Sequence, residues 1–318
     1  MLRRCIHINK RQKQVQQSLL KDEAAVLKEL EKSYQKAIDD INAFLARLYA
    51  RKDTENLQAI IYQIKYQKAI KSELEAFLSV LHTNNYKLID DYLQRCYENA
   101  HIGMLFDIQG QGIPLIFPLE QEQMIAAITL NSKLSAPLYN SLGYNLDFLK
   151  ISVASELSRG IAQSLSYAEI ARNLENTTKV DFNKTANIVQ TEGHRIQQES
   201  TYNAQKRAKA KGADIVKQWD STLDGKTRPT HRELDGQIVE VDEYFHSSGG
   251  GKALYPGGFN NPKEDCRCRC CLIQRAKWAL TDGEFTKMNG KTNELQHFES
   301  VEDYEKFKKI FWQVTSNA

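Results

Sequence analysis

The chain lacks a long apolar run, and none of its stretches reaches the eighteen or so consecutive apolar residues that a membrane span needs. The basic N-terminus has no apolar core behind it, so a secretory signal peptide is not expected either. The six cysteines are not spread as a disulfide framework would be: Cys5 and Cys96 stand alone and four crowd between Cys266 and Cys271. Free thiols and a cytosolic site of synthesis are therefore expected. Net charge is also small, +3 in 318 residues, too little to announce a nucleic-acid binder. No internal repeat or low-complexity tract is present. With 26% charged and 41% apolar residues, the composition is that of a water-soluble protein long enough for two or three domains.

Periodicity makes the first third helical. Leu27, Leu30, Tyr34, Ile38, Ile41, Leu45 and Leu48 recur at three- and four-residue steps, which keeps one face of a helix apolar. A second stripe at Leu57, Ile60, Ile64, Leu74, Phe77 and Leu81 follows the polar break at residues 51–53, with Asp53 or Thr54 as its N-cap. Two long helices joined so tightly run antiparallel. A third helix is expected near residues 86–97. Gly103 to Pro118 then reads as a punctuated loop with one short strand, Ile113 to Phe117, and as a boundary. Helices are expected over 119–130, 142–163 and 167–173, the last with Ser166 and Glu169 as a capping box. A further helix, Lys184 to Lys211, is capped by Asp181 or Asn183 and stopped by Gly212. Residues 282–297 read as a linker, and Ser300 with Asp303 caps a final helix.

The segment from Trp219 to Cys270 differs in kind. Ile215–Trp219 and Gln237–Val241 carry β-branched and aromatic residues in short runs, as strands do. Between them lie Asp220, Asp224, Arg228, His231 and the turn Asp235-Gly236. If Cys266, Cys268 and Cys270 sat on one strand, alternation would line their sulfurs along one side and put Arg267 and Arg269 opposite, with Cys271. Those three thiols with His231 have the chemistry of a zinc site, although Cys-x-Cys spacing separates the sulfurs unless the chain bends. The competing expectation is a set of buried, reduced thiols, with His231 hydrogen-bonded to Asp220 or Asp224 as a loop staple.

Trp219-Asp220, Asp224, Arg228, His231, Leu234-Asp235-Gly236, Phe245, Pro256 and the Cys-Arg-Cys run together resemble the phage Mu F-like domain of head-morphogenesis minor capsid proteins, including the SPP1-type minor head proteins. The resemblance covers about residues 152–273. Upstream, Gln190-Thr191-Glu192 stands where the family has Arg-Thr-Glu. Two overlapping Cys-Arg-Cys copies stand where relatives have one, and the acidic Glu264-Asp265 before them favours Cys268 and Cys270 as the matched pair.

The resemblance implies an α+β, mostly α protein. Residues 1–102 would form the N-terminal helical hairpin, 103–150 a linker and helical middle, 151–275 the Mu F-like domain with its small β module, and 276–318 a linker and helix. It implies a structural role without catalysis: a minor capsid protein that binds portal protein and major capsid or scaffolding protein and resides in the virion. Non-specific contact with phage DNA would use the basic residues Arg3, Arg4, Arg11, Lys13, Lys206 and Arg207, which otherwise read as solvated or helix-terminal cations. The rival class is a metal-dependent nuclease or an ADP-ribosyltransferase-like enzyme.

Overall fold

The computed structural model describes residues 9–50, 64–129, 167–222 and 226–280, with residues 148, 149, 151–153, 155, 156, 159, 163 and 165 between them. Arg3, Arg4, Asp224, the Asp53/Thr54 and Ser166 caps, and everything expected beyond residue 280 lie outside the described residues. The elements run in order α1 (Lys10–Ala50), α2 (Ile64–Gly110), α3 (Gln121–Thr129), α4 (Tyr167–Ala210), β1 (Ile215–Asp220), α5 (Pro229–Leu234), β2 (Ile238–Glu240), β3 (Phe245–His246), β4 (Lys252–Ala253), α6 (Pro262–Asp265) and β5 (Cys271–Ala276). A 3-10 turn, Lys277–Ala279, follows. The protein is thus α+β and mostly α, with long N-terminal helices and small antiparallel sheets near the C-terminal end of the described chain. None of the described helices is long and apolar enough to cross a membrane.

The chain divides into two compact units. One draws on Met1–Glu23, Tyr92–Ala136 and Gln190–Ala318, the other on Ala24–Asp91 and Pro137–Val189. In the second unit the apolar stripe of α1 is buried at Val26, Leu30, Tyr34, Ala37 and Ile41, so the buried face takes Val26 and Ala37 while their neighbours Leu27 and Ile38 are half-buried. Tyr34, Ala37 and Ile41 pack with Leu74, Leu78 and Leu81 of α2 and Ile170 and Leu174 of α4. The Tyr34 hydroxyl donates to Asp181 Oδ2 at 2.8 Å and lies 2.9 Å from Thr185 Oγ1. Asp181 is therefore the acceptor for a tyrosine in mid-helix and not a cap, and the two helices expected on either side of it are one continuous α4.

In the first unit α1 and α2 run antiparallel: Gln12 meets Asp107, Val15 meets Gly103 and Asp22 meets Arg95. Gly103 does not end a helix. A Cβ there would lie 2.4 Å from Val15 Cγ1, so glycine is what allows α1 to approach α2, which continues to Gly110. The expected separate helix at 86–97 and the boundary at Gly103 both fall within α2, and residues 113–117 form no strand. Asp107 is a buried hub that accepts from Asn9 Nδ2 at 2.6 Å, Gln12 Nε2 at 2.8 Å, Gln111 Nε2 at 2.9 Å and the Gln274 amide. Burial raises its carboxyl above the ordinary range.

The sheet order is β2-β1-β5, antiparallel throughout, with Gln218 opposite Ile238 and Trp219 opposite Leu272. All six residues of β1 are buried. Helix α4 stacks under this sheet: Gln198 Oε1 accepts from Leu272 N at 2.7 Å and Gln205 Nε2 donates to Gln274 Oε1 at 3.1 Å.

His101 shows how tightly this unit excludes water. Its Nε2 lies 3.2 Å from the Phe117 carbonyl and its ring meets Phe117 edge-on, with the Arg207 guanidinium over the same Phe. Burial lowers its pKa from 6.5 to about 4. Above pH 6.5 the ring is neutral folded or unfolded; as pH falls towards 4 only the unfolded chain takes up the proton, so stability falls. Unfolding titrations should show His101→Gln losing about 2 kcal/mol less than the parent between pH 7 and pH 5; equal losses would mean that His101 titrates normally.

Candidate functional site

The residues singled out from the sequence gather around Trp219. Its side chain is fully buried, and its ring meets His231, Phe245 and Phe259 at centroid distances of 5.7, 5.2 and 5.8 Å. Truncating such a ring costs about 3–5 kcal/mol, so it anchors the module. Trp219 Nε1 donates to Ser221 Oγ at 3.1 Å, and that hydroxyl donates to the His231 carbonyl at 2.6 Å. Asp235 Oδ1 accepts from Ser221 N at 2.7 Å. Gly236, at φ 79, turns the chain so that its N–H reaches the Trp219 carbonyl at 2.8 Å. Arg228 precedes Pro229, which opens the short helix α5, and its guanidinium donates to the Cys266 carbonyl. Asp220 is fully buried at the end of β1, where its charge acts on the Arg275 guanidinium.

The cysteines do not lie on one strand. Helix α6 ends at Asp265, residues 266–267 form a turn, Arg267 takes a left-handed φ of 52, and strand β5 begins only at Cys271. That bend sends Cys266 away and brings Cys268 and Cys270 together with His231. Nδ1 of His231 lies 3.3 Å from Cys270 Sγ and 3.6 Å from Cys268 Sγ. These three ligand atoms all fall within 4.8 Å of one another, and Cys266 is not among them. Cys271 instead shares a groove with Arg267 and Arg269.

On its other side His231 Nε2 is 2.9 Å from Glu264 Oε2, an electrostatic contact without hydrogen-bond alignment, and Glu264 Oε2 accepts from Thr230 Oγ1 at 3.0 Å. The imidazole is thus positioned by Glu264, not by Asp220. Phe259 stacks on the ring at 5.9 Å and 26°. Burial works against a charged ring, but the hydrogen bond and charge of Cys270, with Glu264 beyond, outweigh it and raise the His231 pKa. Cys270 is pulled well below its usual value by the Cys268 thiol and then by His231, while Cys268 is pushed up. The cluster favours a thiolate facing an imidazolium.

Several residues have contacts that the sequence did not assign. Asp265 is buried and accepts from Phe259 N and Asn261 N at 3.1 and 2.9 Å, closing the glycine-rich loop. Thr191 Oγ1 accepts from Arg267 N at 3.3 Å, and Gln190 Nε2 donates to Glu23 Oε1 at 3.0 Å. Glu192 bonds Arg195, whose guanidinium also reaches Glu199 at 2.6 Å and the Ala127 carbonyl at 2.7 Å. The Gln190-Thr191-Glu192 triplet thereby ties α4 to α1, to the cysteine turn and to α3.

The basic residues are used unevenly. Arg11 donates to the Phe106 carbonyl at 2.8 Å and lies over its ring; Arg207 bonds the Pro118 carbonyl at 2.6 Å and pairs with Glu120 at 2.9 Å. Both hold the fold. Lys13 and Lys206 are exposed. A groove of about 1480 Å³ opens between α1, α2 and the cysteine turn, with Lys226, Arg228, Arg267 and Arg269 along its lining.

Residues 152–273 match the family model described as Phage Mu protein F like protein. This segment is similar to phage Mu protein F-like domains. The wider chain is 25% identical to Minor head protein GP7 of Bacillus phage SPP1 over 299 residues, which is 89% of this chain and 92% of that relative. It is 29% identical to NAD(+)--arginine ADP-ribosyltransferase EFV of Enterococcus faecalis over 309 residues, 93% of this chain. The chain spans 60% of that relative's length. No solved structure matches. The matched segment includes α4, most of the three-stranded sheet and the Trp219–His231 cluster.

Arg195 offers a test of that architecture. Both it and its two carboxylate partners are nearly sealed from water. Arg195→Ala removes the guanidinium that pairs with two buried carboxylates, and chemical denaturation should show a loss of about 3–5 kcal/mol. A change under about 1 kcal/mol would mean that the carboxylates find water or other donors.

Proposed function

We propose that this chain is a minor head protein acting in phage head morphogenesis by binding, without turnover. The observation that carries the reading is the correspondence with Minor head protein GP7 along nearly the whole of both chains. The site supports it physically. His231, Cys268 and Cys270 are 1%, 4% and 2% exposed, which suits a structural role, and they hold α5 and the cysteine turn together. Asp220 is fully buried as well, so among the described residues the motif shows no open carboxylate pair that could clamp a metal against phosphate, as a nuclease requires.

In this reading the partners are portal protein and major capsid or scaffolding protein, and the chain ends in the virion, at the portal vertex or head interior. Contact with phage DNA falls to Arg3, Arg4, Lys13 and Lys206, since Arg11 and Arg207 are committed to internal carbonyls. Such contact is sequence-blind and salt-sensitive because it neutralises phosphates.

A transferase reading takes its support from the enterococcal relative alone. The chain spans only 60% of that protein, so its activity does not transfer with the match.

Co-expression with portal, scaffolding and major capsid proteins should yield particles that contain the chain, with the portal ring retaining it on its own. Absence from particles, or NAD-dependent labelling of arginine by the purified chain, would overturn the reading. Neutralising Arg3, Arg4 and Lys13 should weaken duplex binding and reduce the salt slope by about 1 for each phosphate that no longer meets a cation. An unchanged slope would exclude DNA as a partner of this basic arm.

A further inference from the structure

We infer that His231, Cys268 and Cys270 bind one zinc ion, a staple that closes the β module from within. The inference is independent of the assembly role and rests on geometry. Zinc holds thiolate sulfur at about 2.3 Å and imidazole nitrogen at about 2.0–2.1 Å; at a tetrahedral angle that separates sulfur from nitrogen by about 3.5–3.6 Å. The separations here are 3.3 Å from Cys270 and 3.6 Å from Cys268 to the same nitrogen, Nδ1. All three ligand atoms lie within 4.8 Å of one another, close enough to share one ion.

The surroundings are those of a metal centre. A ligating imidazole ordinarily passes its other N–H to a carboxylate, which fixes tautomer and orientation and strengthens the donor. Glu264 Oε2 stands 2.9 Å from Nε2 and is itself fixed by Thr230. Ser221 Oγ lies 3.4 Å from Cys270 Sγ, and Trp219 and Phe259 wall the ring from water.

The bend at Arg267 removes the objection that Cys-x-Cys spacing raises on a straight strand, because residues 268–270 precede β5 and are free of its alternation. Two thiolates and a neutral imidazole neutralise the dication, so the buried ion carries no net charge with its ligands. Binding releases two protons to solvent. The described residues supply three of the four positions of a tetrahedral site, and the burial of all three side chains suits an architectural ion.

The staple joins the six-residue α5 to the cysteine turn, in a module whose β3 and β4 have two residues each and whose α6 has four. In small loop-rich modules, metal binding supplies folding free energy directly.

The full chain, purified under reducing conditions with zinc supplied, should carry close to one zinc per molecule by elemental analysis. Cys268→Ser and Cys270→Ser should each abolish stoichiometric zinc, whereas Cys266→Ser and Cys271→Ser should retain it. Glu264→Gln should keep the site but weaken zinc about 10–100-fold in chelator competition. Cobalt substituted for zinc should give thiolate-to-metal charge transfer and the intense ligand-field bands of tetrahedral coordination, a readout that holds even where a cysteine variant folds poorly. Zinc-free protein, full occupancy in Cys268→Ser or Cys270→Ser, or an intact mass lacking two hydrogens from a Cys268–Cys270 disulfide would each overturn the inference.

Discussion

Around one imidazole the C-terminal architecture closes: His231 sits on α5, faces two sulfurs of the cysteine turn through Nδ1, and faces Glu264 of α6 through Nε2. Every other feature of the module depends on that ring staying in place. Trp219 and Phe259 pack against it, the Ser221 hydroxyl takes its backbone carbonyl, and Ser221 in turn receives the Trp219 indole. β2, with three half-buried residues, is an edge strand of the three-stranded sheet and pairs with β1.

The same logic ties this module to the helices of its unit. Thr191 holds the turn at Arg267, Gln198 satisfies the backbone of β5, and Asp107 gathers Gln274 with Asn9 and Gln12. Amides and hydroxyls perform most of this work, and they bring hydrogen-bond direction without the desolvation cost of full charge. The exception is Arg195 with Glu192 and Glu199, an ion network sealed inside the unit. These contacts explain why α4 looks only weakly amphipathic in sequence: its polar residues are buried partners, not a solvated face.

Much of the fold was legible in the sequence. The apolar stripes of α1 and α2, their antiparallel pairing, and strands β1 and β2 follow from periodicity and composition. The errors share a cause, which is that local signals were read without long-range partners. Asp181 looks like a cap until Tyr34 reaches it, and Gly103 looks like a break until Val15 packs on it. At the site, Trp219, His231, the cysteines and the acidic Glu264-Asp265 were visible, yet the contact of Glu264 with His231 and the part played by Ser221 were not, because nothing in the sequence measures proximity across a fold. Alternation along Cys266–Cys270 failed for a different reason: Arg267 adopts a left-handed conformation that few side chains take, and the regular strand begins after it.

The central claim is that the imidazole cluster is architecture for the whole β module. Hydrogen exchange on the full chain carrying His231→Ala reads this most directly, segment by segment. Protection should fall together across β1, β5 and residues 255–265, while α1 around Tyr34–Ile41 keeps its protection. A change confined to residues 229–234, with β1 and β5 still protected, would contradict it.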